Sequence, residues 1–397
     1  MGYVAVTGGK EAIEASIERL KYERLRKGRV LDVEAVEAGM RALVDQVMSE
    51  ASLYDERVAA VSIKQAEGSP EEAVFLMRAF RSTLPRSHYS LMIDTRAMRI
   101  ERRISASFKD IPGGQILGAS CDYTHRLLDP ELLEETDESA ARWLDEYLFG
   151  EYLAGKDFSD QDPAAEPPED GGQAPAPFAA AAPLSSAIDY VRGLGLLKDS
   201  PPDDTEPRDV TKRAIEFPTV RSERLQILTR GQTGAVTALG YAALRGYGAT
   251  LHPTVGEIRV GRVDVHVPDP LGSIHAAGSG VDAESPDNSY YVGSLRITAV
   301  ETLVPVPVHR GLGRTEIEFE LGFGAAFGQN ETKAIAMSLL DQCLESTERR
   351  YPTQDEEFVL LHVDSVEATG FISHLKLPHY VTFQSKLDSV RKARGQA

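Results

Sequence analysis

The chain has 397 residues, only two of them cysteine, and a formal net charge of −18. Two thiols cannot build a disulfide framework, an all-cysteine zinc site or an iron–sulfur cluster, so radical or cluster chemistry would belong to another chain. The acidic balance argues against a non-specific grip on nucleic acid, and no run approaches the ~20 apolar residues of a membrane helix.

The length points to two or three domains. The start, MGYVAVTGGK, lacks the basic and apolar regions of a secretory signal, and Val6 breaks the myristoylation pattern. With so few cysteines, the cytosol is the expected compartment.

Val4 to Val6 reads as a short strand, followed through Gly8-Gly9 by a helix from about Lys10 to Lys27. Residues 33–51 set Val36, Met40, Leu43, Val44 and Val47 at helical spacing. Ser69-Pro70 is an N-cap with proline at the first helical position, opening a helix from Glu71 to about Leu84. Arg96, Arg99, Arg102 and Arg103 would share one helix face. That face is either a ridge for polyphosphate or an acidic partner, or a solvated surface paired with Glu101 and other carboxylates. Pro112-Gly113-Gly114 breaks the chain. Asp122, Tyr123, His125 and Arg126, beside Cys121, read as a buried polar cluster.

Residues 126–153 return to helical character around Trp143, the single tryptophan. Residues 131–170 hold 14 acidic and two basic side chains, so −12 of the −18 lies in this window. From Gly155 to about Pro183 the composition turns to Pro, Ala, Asp, Glu and Gly, which cannot build a core. A short helix is expected within 184–197, and Asp199 to Pro207 is a second break.

Gly256 to Val267 and Arg296 to Val308 run near period two. Thr315 to Leu321 alternates Ile317, Phe319 and Leu321 against Glu316, Glu318 and Glu320. Gly322 to Gly328 reads as a glycine-rich turn, Asn330 as the cap of a helix from Glu331 to about Arg349, and Phe358 to Val363 as a short strand. The expected fold is α+β. A mainly helical N-terminal region covers 1–154, an acidic Pro/Ala-rich linker with one short helix covers 155–210, and a mixed-sheet C-terminal domain covering 211–397 carries the site.

The strongest local signal is Ser373-His374-Leu375-Lys376-Leu377-Pro378-His379. Two imidazoles five apart around a proline can converge from a turn, and neutral imidazole ligates zinc and related metals. The spacing fits equally a pair of hydrogen-bonded rings with no ligand. A third ligand would have to be recruited, with His362, Asp355, Glu356, Glu357, Asp364 and Glu367 near in sequence. Gly322-Phe323-Gly324 to Gly328 ahead of a helix can cradle phosphate through backbone N–H groups, or simply connect strand to helix. Arg245-Gly246-Tyr247-Gly248, His252-Pro253 and Gly256-Glu257-Ile258-Arg259 offer arginines for phosphate oxygens, or a turn with solvated arginines.

Five stretches in this order resemble the PhnI family of carbon–phosphorus lyase subunits. They are YVAVTGGKEAIEAS, ERRISASFKDIPGGQILGASCDYTHRLLD, RGYGATLHPTVGEIRVG, the glycine turn with ETKAIAMSLLD, and QDEEFVLLHVDSVEATGFISHLKLPHYVTFQ. The resemblance spans most of the chain outside roughly 130–210, where the long linker departs from the family's compact form. It implies a core assembly with PhnG, PhnH and PhnJ, a dimer of heterotetramers joined by the ATP-binding-cassette proteins PhnK and PhnL. It implies that a phosphonate such as methylphosphonate replaces the adenine of ATP, giving α-D-ribose 1-methylphosphonate 5-triphosphate. Alone, such a subunit is expected to act as a nucleosidase on ATP or GTP. The family's metal pair falls on His374 and His379, with zinc the implied ion, and radical cleavage falls to PhnJ. The alternative is a scaffold whose histidine metal completes or gates the radical partner's site.

Displacement at the anomeric carbon passes through oxocarbenium character. It calls for a carboxylate beside the sugar, an acid for the departing base and donors for the anionic groups. Asp355, Glu356, Glu357 and Asp364 are the carboxylate candidates. Lys376, Arg245, Arg259, Lys333 and Gly324 are candidates for phosphate or phosphonate contact.

Overall fold

The computed structural model describes residues 9–153, 185–198, 205–248, 251–268, 289–310, 314–347, 349–377 and 379–395. The strand expected at Val4 to Val6 and most of the linker lie outside the described residues. The described residues divide into two units: those up to Ile116 together with those from 185 onward, and those from Leu117 to Leu153. None of the described helices is long and apolar enough to cross a membrane.

In the first unit, α1 (Gly9–Leu25) buries none of its side chains. The segment expected to be one helix over 33–51 is two, α2 (Val33–Gly39) and α3 (Arg41–Ala51), because Met40 leaves helical backbone at φ −112°, ψ 38°. With α4 (Glu56–Gln65) and α5 (Pro70–Thr83) they bury Val44, Val47, Met48, Ile63, Val74 and Met77 in one core. Each such side chain contributes ~1.5–3 kcal/mol on leaving water. Ser69 caps α5 by accepting from the Glu72 N–H, 3.4 Å away.

The arginine segment is not a helix. Arg99–Ile104 is β1, an edge strand, so its side chains alternate between faces instead of forming a ridge. Arg99 pairs with Asp264, Arg102 with Glu331 and Arg103 with Glu257, while Arg96, in the turn before the strand, pairs with Asp94.

The sheet runs β1, β2 (Thr254–Pro268), β3 (Ser289–Arg310), β4 (Arg314–Phe327), each pair antiparallel. The expected mixed sheet is therefore corrected to an antiparallel one. Alternation reports burial, not strand direction, and the Arg310↔Arg314 pairing leaves no room for the long crossover that parallel neighbours need. The parallel contact seen among the described residues is an isolated bridge from Leu197 to Phe319. Leu197 follows α7 (Ala187–Gly193), whose Ile188 and Val191 pack on Leu303.

One face of the sheet is covered by α10 (Glu331–Glu345), flanked by α8 (Arg221–Arg230) and α9 (Thr233–Ala242). Leu228, Val236, Met337, Leu340 and Leu344 share a core there with Val359 and Val363. The expected glycine turn is strand as far as Phe327, and only Gly328, at φ +64°, turns the chain. Gly322 and Gly324 are glycine for another reason. A Cβ on either would overlap the carbonyl oxygen of Ser338 or Ala334 on α10. Asn330 stands at the helix start, but its amide donates to the Phe327 carbonyl and does not cap.

Phe358 to Val363, expected as a strand, lies in α11 (Glu356–His362) and its end. Six apolar-leaning residues do not distinguish strand from helix. Asp355 decides it by accepting from the Phe358 N–H at 3.0 Å. Then come α12 (Ser365–Ser373), a 3-10 turn at His374–Lys376, and α13 (Tyr380–Ala393), which buries no side chain.

The second unit holds α6 (Asp137–Leu153), where Trp143 stacks on Tyr147 at 5.2 Å. The polar cluster beside Cys121 is exposed, not buried, because none of residues 117–150 is buried. Arg126 there pairs with Asp122 at 3.1 Å.

The glycine argument predicts that Gly324→Ala lowers unfolding stability by about 1–3 kcal/mol, the range for overpacking a close interface. Gly370→Ala, whose Cβ would meet open space on α12, serves as the matched control. Denaturant titration of both variants checks this; equal midpoints would refute the close-packing role.

Candidate functional site

The histidine segment begins with Asp364, the N-cap of α12. Its carboxylate accepts from Val366 N–H at 3.0 Å and Glu367 N–H at 3.3 Å. The same carboxylate takes a two-pronged bond from Arg78 of α5, at 2.8 and 2.7 Å. Arg78 also donates to the carbonyls of Glu50 and Arg230, at 2.8–3.0 Å. The start of α12 is thus tied to α3, α5 and α8.

The far end of α12 carries His374, and His379 precedes α13. Their rings lie 5.5 Å apart at 61°. Each Nδ1 bonds a backbone carbonyl, Phe371 for His374 and Leu377 for His379. A carbonyl only accepts, so both Nδ1 atoms donate, and in the neutral rings the lone pair is then on Nε2. That tautomer can ligate a metal through Nε2. The donor set therefore fits a divalent cation, although two imidazoles do not fill its coordination. Among the described residues no third His, Cys, Asp or Glu completes the group. Phe371, whose ring lies 5.1 Å from that of His374, and Ile372, Leu375, Leu377, Tyr380, Val381 and Phe383 flank the pair along the chain and are exposed. Lys376 is exposed in the turn between the rings.

The other sequence candidates are spread through the fold. Asp355 caps α11, and Glu357 is exposed in its first turn. Glu356 accepts from the Thr219 N–H and hydroxyl, the latter at 2.8 Å, and faces Arg224 at 3.6 Å. Arg245 lies over Tyr241 and donates to its hydroxyl at 2.9 Å. Gly324 belongs to the sheet–helix contact. The N–H groups that would cradle an anion ahead of α10 are occupied: Gln329 donates to Asp45 and Asn330 to the Thr298 hydroxyl.

Lys333 is wholly enclosed and donates to the Thr229 carbonyl at 2.6 Å. Burial lowers its ammonium to about 8, opposed by the charge of Glu50 and aided by Arg78. Glu50 is buried too. Its Oε1 accepts from Gln46 and from the Thr233 N–H and hydroxyl, while its Oε2 makes no hydrogen bond.

Sequence reasoning passed over one polar group. Glu257 is buried and bonded by Arg103, by Arg259 at 2.7 Å and by the Ala187 N–H at 2.9 Å. Burial alone would push its carboxyl up, but these bonds hold it below its ordinary range. Glu301 stands opposite Glu257 across the β2–β3 ladder. The signal was present as a single acid, Glu301, in a strand of apolar and hydroxyl residues. Cys343 is buried, its thiol pushed up to about 12 by burial, which removes it from thiolate chemistry.

A family model described as bacterial phosphonate metabolism protein (PhnI) matches residues 2–397. The match runs through 130–210, beyond the stretches that carry the resemblance by eye. The chain is 40% identical over 403 residues to the alpha-D-ribose 1-methylphosphonate 5-triphosphate synthase subunit PhnI of Rhizobium meliloti (strain 1021), covering 99% of this chain and 95% of that one. Identity to the subunit of the same name in Escherichia coli (strain K12) is 39% over 403 residues, covering 99% of both chains. It is 38% over 407 residues to the putative C-P lyase subunit protein HtxH of Stutzerimonas stutzeri, covering 100% and 97%.

Two outcomes follow from the buried charges. Arg78→Met removes the anchor of α12 and leaves Asp364 without its partner, so unfolding stability drops by about 3 kcal/mol. Amide exchange over 365–373 should quicken more than over 331–345; a uniform change would show that the bond does not act locally. For Lys333 the folded value near 8 lies below the ordinary 10.5, so the unfolded chain binds more protons between them. Stability should rise with pH across roughly 8 to 10.5, and that rise should vanish in Lys333→Met. Parallel curves for the two proteins would refute the assignment.

Proposed function

Because the chain belongs to the PhnI family, we propose that it is the subunit of a carbon–phosphorus lyase core complex that transfers a phosphonate onto the anomeric carbon of ATP ribose. Adenine is displaced and ribose 1-methylphosphonate 5-triphosphate is formed when methylphosphonate is the acceptor. In the absence of partners the same chemistry passes to water, which makes the chain a purine-nucleotide nucleosidase. The partners are PhnG, PhnH and PhnJ, with PhnK and PhnL outside the core, in a dimer of heterotetramers.

The observation that carries this reading is the surface pair of imidazoles with both Nε2 lone pairs unspent. His374 and His379 would hold a divalent cation, zinc in the first instance, which when bound supplies positive charge beside anionic phosphonate or triphosphate oxygens. Lys376, exposed between the rings, adds a mobile ammonium for the same oxygens. The Nδ1–H bonds to the Phe371 and Leu377 carbonyls orient the two rings. A protein of net charge −18 needs such local cations for two anionic substrates to meet.

A second reading is favoured by one specific observation, the exposed apolar residues that flank an incomplete ligand pair along the chain. In it the chain is chiefly a scaffold, and a partner side chain or substrate completes the metal to gate the radical subunit. Purified chain incubated with ATP separates the two: adenine release above a metal-stripped control supports the enzyme, and none supports the scaffold.

For the assembled complex, His374→Ala combined with His379→Ala should abolish methylphosphonate-dependent adenine release and growth on methylphosphonate. Unchanged growth would remove the pair from the mechanism.

A further inference from the structure

The fold leaves its first helix bare. α1 (Gly9–Leu25) has 17 residues, and none of its side chains is buried. Most of the stability of a protein helix comes from packing an apolar face, and ~12–15 residues without such packing are marginal in water. An apolar face is present. Ile13, Ile17 and Leu20 follow one another at spacings of four and three, the rhythm of a coiled-coil seam, and are 63–64% exposed.

The charges of α1 are complementary to themselves. Residues 10–18 carry three acids and one base, and residues 19–27 carry five bases and one acid. A second α1 running antiparallel lays each half on its opposite, whereas a parallel one lays like on like. In heptad terms Ile13 and Leu20 take d, Ile17 takes a, and Lys10 and Arg24 take the a positions at the two ends. Antiparallel seams set a against d. One register joins Ile17 of each copy to Leu20 of the other and lays Ile13 along the aliphatic stem of Arg24. Glu14 and Lys21 both stand at e, and e faces e between antiparallel helices. In this register Glu14 of each copy comes beside Lys21 of the other; one heptad away, Glu14 would meet Glu14. Lys21 makes no ion pair among the described residues, while Glu14 is held on the surface by Lys10 at 3.4 Å.

We propose that α1 is a dimerisation arm, packed antiparallel against α1 of a second copy of this chain. Ile17 and Leu20 form the centre of the contact, and two reciprocal Glu14–Lys21 pairs form its edge. The arm gives the assembly proposed above a contact between like subunits, and it does not depend on the transfer chemistry or on the histidine pair.

The test uses the full purified chain in sedimentation equilibrium at low ionic strength. Wild type should dimerise reversibly. Glu14→Lys and Lys21→Glu should each weaken the dimer at least about 10-fold, because two attractions become two repulsions. The double variant, Glu14→Lys with Lys21→Glu, should return to within about threefold of wild type. Both side chains are exposed, so the fold is left intact. The Lys10–Glu14 pair stays lost in the double variant, so recovery reads the contact between copies. Direction is read from disulfides in a Cys121→Ser background, Cys343 being buried. Ile13→Cys mixed with Arg24→Cys should link two chains. Neither variant should link to itself, because like positions lie roughly 16 Å apart along the helix axis in this register. A monomeric chain, a dimer indifferent to either charge reversal, additive losses in the double variant, or Ile13→Cys linked to itself would overturn the arm. The first two are the results expected if a different subunit, or another segment of the same chain, covers α1.

Discussion

The guanidinium of Arg78 is the point through which the rest of the first unit is coupled. Its planar fork reaches the Asp364 carboxylate and the carbonyls of Glu50 and Arg230 at once. An ammonium could not match that geometry. Lys333 is buried near it and Arg230 half-buried, so three cations stand close to the two acids Glu50 and Asp364. Burial lowers Arg230 to about 10, with Arg78 and Arg81 adding to the effect. Carbonyl oxygens absorb much of the excess, Thr229 for Lys333 and Glu50 with Arg230 for Arg78. Removing any one member would strand another without a partner in low dielectric.

That network explains a contrast along the C-terminal helices. Val359, Leu360 and Val363 are buried, and Asp364 is tied down, but beyond Ser365 no described side chain is buried. The imidazoles therefore sit one helix away from a fixed point, on a surface rich in exposed apolar groups. A subunit whose function requires partners has reason to be built this way, since large exposed apolar surface is otherwise a liability.

The sheet separates two kinds of work. Its α10 face approaches so closely that Gly322 and Gly324 are required, and Thr298, Val300 and Thr302 are fully enclosed. Its other face tolerates ionisable groups between apolar clusters, with Glu257 fully bonded and Glu301 left open to a cleft. The same surroundings act in opposite directions: burial pushes the Glu301 carboxyl up to about 7, while the bonds to Glu257 hold its carboxyl below the ordinary range.

The sequence by itself determined the local elements whose signals are local. Ser69-Pro70 opens α5, alternation in 315–321 makes β4, and residues 256–267 fall in β2, because caps and period-two patterns act over a few residues. The family membership was legible too, from ordered stretches that cover most of the chain outside roughly 130–210. Only the tertiary structure decided what required distant partners. Arg99 to Arg103 became a strand because β2 supplied a ladder, and Gly322 and Gly324 became packing residues because α10 lies against them. Lys333, read as a phosphate contact, was drawn inside by Thr229, and Glu301, unnoticed among its neighbours, gained its character from Glu257 and from burial. A side chain's charge state and accessibility are set by atoms far away in the chain, and no spacing in the sequence records them.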